Sequence, residues 1–466
     1  MTRQPVATSG PPPRRILGKD FYIYRDRSTG LNLHLRVEED KSGTLIVNAS
    51  KVLFLNPTAT EHLRLFMQNK EVDEAVKHLG KKFKASAETL RTDHLGIINA
   101  INSVASSDVC PISYLGFQRF DPFSQEIKAP YRLDLALTYR CNNACTHCYA
   151  GKASAAKELS TQDWKTVIGK AFELRIPQIL FTGGEPTMRD DLPELVAETE
   201  RYGIVSGIVT NGRRLSDPAL VERLASAGMD FIQVTLESSR PEVHDKITER
   251  NGSFQETVQG ITNILKQRLY VSVNITLNPL NIDHGVEIVD FLHGLGVKRM
   301  SVNGLIYAGR GVDAAKDFAL PSEKLKQALV AMRDRALQHG LRFDWYTPTC
   351  YEELDPVSLN LGLKTCTASR VTMCVEPDGD VLPCQSYYVA LGNILTDPWE
   401  KIWNHPVAKK LRSREYAPEK CKGCEHFTSC GGACPLEWEA KEVLCTDALC
   451  RVLEADREVA FNDTRG

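Results

Sequence analysis

From Arg132 to about Trp345, short apolar runs alternate with amphipathic stretches of helical length, and no other feature of the 466-residue chain restricts its fold so far. The runs LDLALT, QILF, IVSGIVT, FIQVTLE, VSVNITL and RMSVN have the length and composition of strands. Between and after them, 160–174, 191–202, 217–227, 254–267, 285–295 and 322–339 place apolar residues at helical spacing. A helix between two strands returns the chain to the same end of the sheet, so the strands run parallel. Residues 130–345 are therefore predicted to form an α/β unit, its sheet open or curled into a barrel. In such folds chemistry gathers at the carboxyl ends of the strands. The unusual polar residues follow that rule: the cysteines at 141–148, TGGEP at 182–186, TNG at 210–212, Thr235 with Glu237, Asn274 and Asn303.

The flanks differ from this core. Residues 1–18 are rich in Pro, Gly and Arg and are predicted to be a disordered tail. In 19–104 the strand candidates FYIY, LNLHLRV, TLIV and KVLFL precede three helical patterns, the first opened by Asn56 as cap and Pro57 in the first turn. This is the pattern of a small α+β domain. Residues 105–129 form a linker. With 57 basic and 59 acidic side chains the formal net charge is −2, which gives no reason to expect nucleic acid or an anionic membrane as partner. Neither a spanning apolar run nor a signal peptide is recognisable, so a cytoplasmic location is expected.

Fourteen cysteines in such a chain favour metal or redox chemistry over disulfides. Cys110 fits a buried small hydrophobe; the clustered cysteines do not. Cys141, Cys145 and Cys148, spaced CxxxCxxC, follow the first strand of the α/β unit. Three thiolates could hold zinc with a distant fourth ligand, or an iron–sulfur cluster with one iron open. Structural zinc prefers paired CxxC spacings, so this spacing favours the cluster. Past Trp345 the rhythm stops and ten cysteines fall between residues 350 and 450. CTASRVTMCVEPDGDVLPC holds Cys366, Gly379 and Cys384; CKGCEHFTSCGGAC holds Cys421, Cys424, Cys430 and Cys434; TDALC ends in Cys450. A zinc ribbon would explain the CxxC but not the rest. Folding of 346–466 is expected to depend on inorganic ligation.

On these residues the chain resembles the radical S-adenosylmethionine (SAM) enzymes, which implies a partial (β/α)6 barrel. By that resemblance Cys141, Cys145 and Cys148 hold a [4Fe–4S] cluster whose fourth iron binds SAM, and His147 lies near the nucleoside. Gly183 and Gly184 allow close backbone approach, and Glu185 holds the ammonium group of SAM. Thr235, in VTLES, keeps the hydroxyl of a family serine, with Arg250, Asn274 and Asn303 as further contacts. The C-terminal set resembles the SPASM extension of radical SAM maturases that modify peptides and proteins, including its LGNILTDPWEKIWN bridge. It implies two auxiliary [4Fe–4S] clusters, Cys366, Cys384 and Cys434 on the first, Cys421, Cys424, Cys430 and Cys450 on the second. Cys350 or Cys374 could complete the first, or its last iron stays open; Cys445 competes with Cys450. Gln385 stands where sulfatase-type maturases have a basic Asp, which argues against that activity.

Residues 19–104 resemble a PqqD-like, winged-helix-like domain, which binds the leader of a ribosomally made precursor peptide as an added strand at a sheet edge. A structural cap on the barrel is the plainer alternative. The resemblance as a whole implies reductive cleavage of SAM to a 5′-deoxyadenosyl radical that crosslinks or oxidises such a peptide. Electrons would come from a small electron-transfer protein, flavodoxin or ferredoxin. No catalytic side chain is expected beyond the cluster and SAM. The alternatives are a radical SAM enzyme of tetrapyrrole or other cofactor biosynthesis and a non-redox, zinc-stabilised binding protein.

Overall fold

A computed structural model describes residues 13–49, 51–106, 127–150, 157–267 and 269–444. The chain divides into two compact units, the first comprising residues up to 125 together with 171–178 and 201–205.

In the first unit, strands β1 (Arg14–Gly18), β2 (Phe21–Asp26), β3 (Leu31–Val37), β4 (Gly43–Val47) and β5 (Lys51–Leu55) form an antiparallel meander in chain order. Helices α1 (Pro57–Met67), α2 (Val72–Lys82) and α3 (Ala87–Ser106) follow. The alternation in LNLHLRV buries Leu33 and Leu35 against Leu45 and Leu63, all without exposure. The Asn56 side chain accepts the Ala59 N–H at 2.8 Å, the cap read from the sequence. The predicted tail needs correction, because β1 lies inside it. Ile16 pairs with Ile23, and the turn between the strands places Asp20 at a φ of 59°. Ladder hydrogen bonds to β2 order a stretch whose composition alone would not. The remainder of the tail, 1–12, and most of the linker lie outside the described residues.

In the second unit, β6 (Arg132–Ala136), β7 (Gln178–Thr182), β8 (Val205–Thr210), β9 (Phe231–Thr235), β10 (Tyr270–Thr276) and β11 (Arg299–Asn303) lie side by side in chain order. The pairings from β8 through β11 are parallel. The helices Thr161–Glu173, Leu192–Tyr202, Pro218–Ala227, Ser253–Lys266, Gly285–Leu295 and Ser322–Gln338 stand within a residue or so of their predicted positions. The sheet is wider than the six strands expected. A short β12 (Arg342–Trp345) adds parallel to β11, and β13 (Thr372–Val375) adds parallel to β6, followed by antiparallel β14 (Val381–Leu382). The C-terminal cysteine region thus contributes strands to the barrel sheet. All four residues of β13 are buried, as a parallel strand covered on both faces requires. Among the described residues no helix is long and apolar enough to cross a membrane.

Candidate metal centres

The first cysteine loop leaves the carboxyl end of β6 and is clasped by the neighbouring GGEP turn. The Gly184 N–H donates to the Thr138 carbonyl (2.8 Å) and the Glu185 N–H to that of Arg140 (2.9 Å). Gly183 has a φ of +129°, and a Cβ there would lie 2.2 Å from the Thr138 carbonyl oxygen; one at Gly184 would lie 2.6 Å from that of Tyr139. The close backbone approach expected of these glycines is therefore made to the chain's own cysteine loop.

Glu185 is engaged by the protein itself. Its side chain is fully buried, and Oε1 accepts from the Thr187 N–H (3.0 Å) and from the hydroxyls of Thr187 (2.5 Å) and Thr210 (2.7 Å). Oε2 accepts from the Asn211 N–H (2.8 Å). Burial pushes this carboxyl up, and the donors pull it back. With four donors from the protein, the carboxylate ties GGEP to TNG across adjacent strand ends. Asn211 carries the tie onward, donating to Asn142 Oδ1 at 2.6 Å with its Nδ2 3.9 Å from the Cys141 sulfur.

Around the thiols, helix Pro241–Thr248 ends with carbonyls that need donors, and the loop supplies them: Ala144 N–H to Thr248 O (3.0 Å) and Thr146 N–H to Ile247 O (3.1 Å). Arg213 donates to Asn142 O and to Asn143 Oδ1 (3.0 Å), and Arg250 donates to Asn142 O at 3.1 Å. Arg250 is thus an exposed clamp on the loop. Arg213 was not singled out from the sequence, although its position directly after TNG was a usable signal. Cys141 is exposed, Cys145 and Cys148 half-buried. Burial pushes the Cys145 thiol far up, with Glu237, Cys148 and Cys141 adding to it.

His147 is nearly buried, its Nε2 3.2 Å from Glu237 Oε1 and its ring stacked on Phe318 with centroids 6.0 Å apart. Its Nδ1 is buried and has no hydrogen-bond partner. Glu237 is held in turn by the Thr276 N–H at 3.0 Å. Thr235 and Asn303 end β9 and β11, both half-buried. Asn274 lies within β10 and accepts from the Ser301 hydroxyl at 2.9 Å, so the sheet already engages its carboxamide oxygen. Soft sulfur donors that act on one another, beside an unpartnered imidazole nitrogen, fit a cluster with a ligand at its open iron. Among the described residues no three His, Cys, Asp or Glu side chains converge on a single ion. A cluster, whose thiolates each hold a different iron, does not ask them to.

The C-terminal cysteines form two groups. Burial, then Cys366 and Cys384, push the Cys434 thiol well up; burial, then Cys366, push Cys384 up to about 12. Cys421, Cys424 and Cys430 line one cavity, and Cys350 lines it with them. Cys350, one of the two candidates to complete the Cys366 group, lies beside the other group. The turn after β12 lays Cys350 against Cys430 and Ala433, with the Cys430 sulfur 3.3 Å from the Thr349 carbonyl. Cys374 is fully buried in β13 with Ala136, Leu382 and Tyr139. Asn393, in the bridge, donates to Asp378 O and Asp380 Oδ1, both at 3.1 Å, and so secures the turn around Gly379. Cys110, Cys445 and Cys450 lie outside the described residues.

The model of the radical SAM superfamily matches residues 135–292, and that of the SPASM iron–sulfur cluster-binding domain matches 366–425. Mycofactocin maturase MftC of Mycolicibacterium smegmatis is 30% identical over 325 residues, covering 67% of this chain and 80% of its own. Fe-coproporphyrin III synthase of Methanosarcina barkeri is 30% identical over 336 residues, covering 65% of this chain and 83% of its own. The crystal structure of Streptococcus suis SuiB bound to precursor peptide SuiA superposes with a TM-score of 0.64 at 17% identity, covering 91% of this chain and 96% of that one. At that identity the likeness is one of fold.

Proposed function

The chain belongs to the radical SAM superfamily and carries its SPASM extension, and from that premise we propose that it modifies a ribosomally made precursor peptide recruited by residues 19–104. The observation that carries this reading is the first unit itself. It is a compact α+β unit with its own core and, among the described residues, no cysteine. A small-molecule substrate gives such a unit no task. A leader peptide gives it one, adding a strand at β1 or β5, the two ends of the sheet order. The 30% identity to a mycofactocin maturase agrees with it.

Bound at the first cluster, SAM supplies on one-electron reduction a 5′-deoxyadenosyl radical able to take hydrogen from an unactivated carbon. The work of the chain's residues is positioning. Arg213, Arg250 and the end of helix Pro241–Thr248 hold the cysteine loop. Glu237 and Phe318 fix the His147 ring and leave its Nδ1 without a protein partner, so that it would be available to SAM. Glu185 keeps two strand-end loops at one spacing. The auxiliary cysteines would hold further clusters, which supply one-electron redox chemistry, and a small electron-transfer protein, flavodoxin or ferredoxin, would reduce the enzyme.

The test is anaerobic incubation of the full chain with SAM, a reductant and the peptide encoded by a short reading frame beside the gene. The expected result by mass spectrometry is a peptide lighter by two hydrogens, with deletion of its leader half raising KM. The identity to Fe-coproporphyrin III synthase favours a second reading. An untouched peptide together with conversion of an iron porphyrin carboxylate would replace the first by it.

A further inference from the structure

The folded chain brings together four thiols that the sequence separates, and we infer that Cys350 is the fourth ligand of the second auxiliary cluster, with Cys421, Cys424 and Cys430. Four thiolates are what a closed [4Fe–4S] site takes. These four line one cavity, and Lys420 and His426 line it as well, one a cation suited to the negative charge of a thiolate-bound cluster. Cys350 packs directly on Cys430.

A second observation is the turn that carries Cys350. The Cys430 sulfur lies 3.3 Å from the carbonyl oxygen of Thr349, the residue before Cys350, so the two segments meet at their cysteines. Cys374 is instead fully buried in a closed apolar setting with Ala136 and Leu382. The two settings mark Cys350 as a ligand cysteine and Cys374 as a core one.

The assignment rests on the chain binding auxiliary clusters and not on which substrate it modifies. It makes the second cluster complete without any residue past Cys430, and it leaves the first on Cys366, Cys384 and Cys434 with an iron for a ligand other than cysteine.

The experiment uses the full chain with Cys141, Cys145 and Cys148 replaced by Ala, reconstituted anaerobically, so that only auxiliary iron is counted, about eight per chain. Adding Cys350→Ser should remove about four irons or convert one cluster to a three-iron form visible by electron paramagnetic resonance. Cys350→Asp, which restores an anionic donor, should recover the iron with a shifted midpoint potential. Cys450→Ser should keep all of it. Full iron and an unchanged spectrum in Cys350→Ser, with loss in Cys450→Ser, would overturn the assignment. An absence of iron in the starting variant would instead defeat the auxiliary-cluster reading itself.

Discussion

The two cysteine regions solve the same problem by opposite means. Cys141, Cys145 and Cys148 fall on one loop at the end of β6, so a short motif on a rigid strand brings three sulfurs together. The auxiliary cysteines come from a span between Cys350 and Cys434 with little regular structure, and their sulfurs meet only when distant turns close on each other. Closing long loops costs chain entropy that a local motif avoids, and ligation can supply the missing stability. The first centre is thus a site placed on a scaffold, whereas the second region uses its centres as scaffold. Tyr139 joins them, its hydroxyl donating to both carboxylate oxygens of Glu376 at 2.6 and 2.7 Å.

The sharpest way to break the contrast is to remove one ligand on each side. Cys145→Ala should leave no 5′-deoxyadenosine above background, whereas Cys434→Ala should still cleave SAM and yield no modified peptide, both measured by chromatography of the same reaction. Loss of cleavage in both would mean that the regions do not act separately.

A smaller effect separates scaffold from surface. Gly183→Ala places a Cβ 2.2 Å from the Thr138 carbonyl at a φ of +129°. The backbone strain alone costs about 1–3 kcal/mol and the clash adds to it, so the melting temperature and SAM affinity should both fall. Gly80→Ala, inside α2 with nothing nearer than 3.8 Å, should stabilise the chain by about 0.5–1 kcal/mol and leave SAM binding alone.

An effect confined to one pH window is expected at the junction of the two regions. Burial above all, with Asp378 and Asp380 adding to it against the Tyr139 hydrogen bond, holds the Glu376 carboxyl up to about 7 from an ordinary 4.5. The folded state therefore prefers the proton, and the stability this carries is present below about 4.5 and lost as pH rises through about 7. Thermal unfolding of the wild type relative to Glu376→Gln should show the difference turning against the wild type as pH rises from 4.5 to about 7. A flat difference would mean that the carboxyl is not shielded.

Local pattern was sufficient for much of this molecule. Period-2 alternation marked β3 to the residue, the apolar run KVLFL marked β5, helical spacing marked the barrel helices, and Asn56–Pro57 marked a helix start. The Cys141 motif and the Gly183–Gly184 pair were equally legible, since their chemistry depends on residues close in sequence. The partners of residues far apart were not. Hydrophobic pattern shows TMCV as a short apolar run but neither that it is a strand nor that it lies beside β6. Carboxylate chemistry says that Glu185 wants donors but not that Thr187, Thr210 and Asn211 provide them. A cysteine count says that Cys350 is spare but not which thiols it joins. Residue types and their short-range spacing set which groups and elements this chain can offer. Only the closed tertiary structure decided which of them meet, because that choice depends on how the strands and loops pack and not on the order of residues along any one of them.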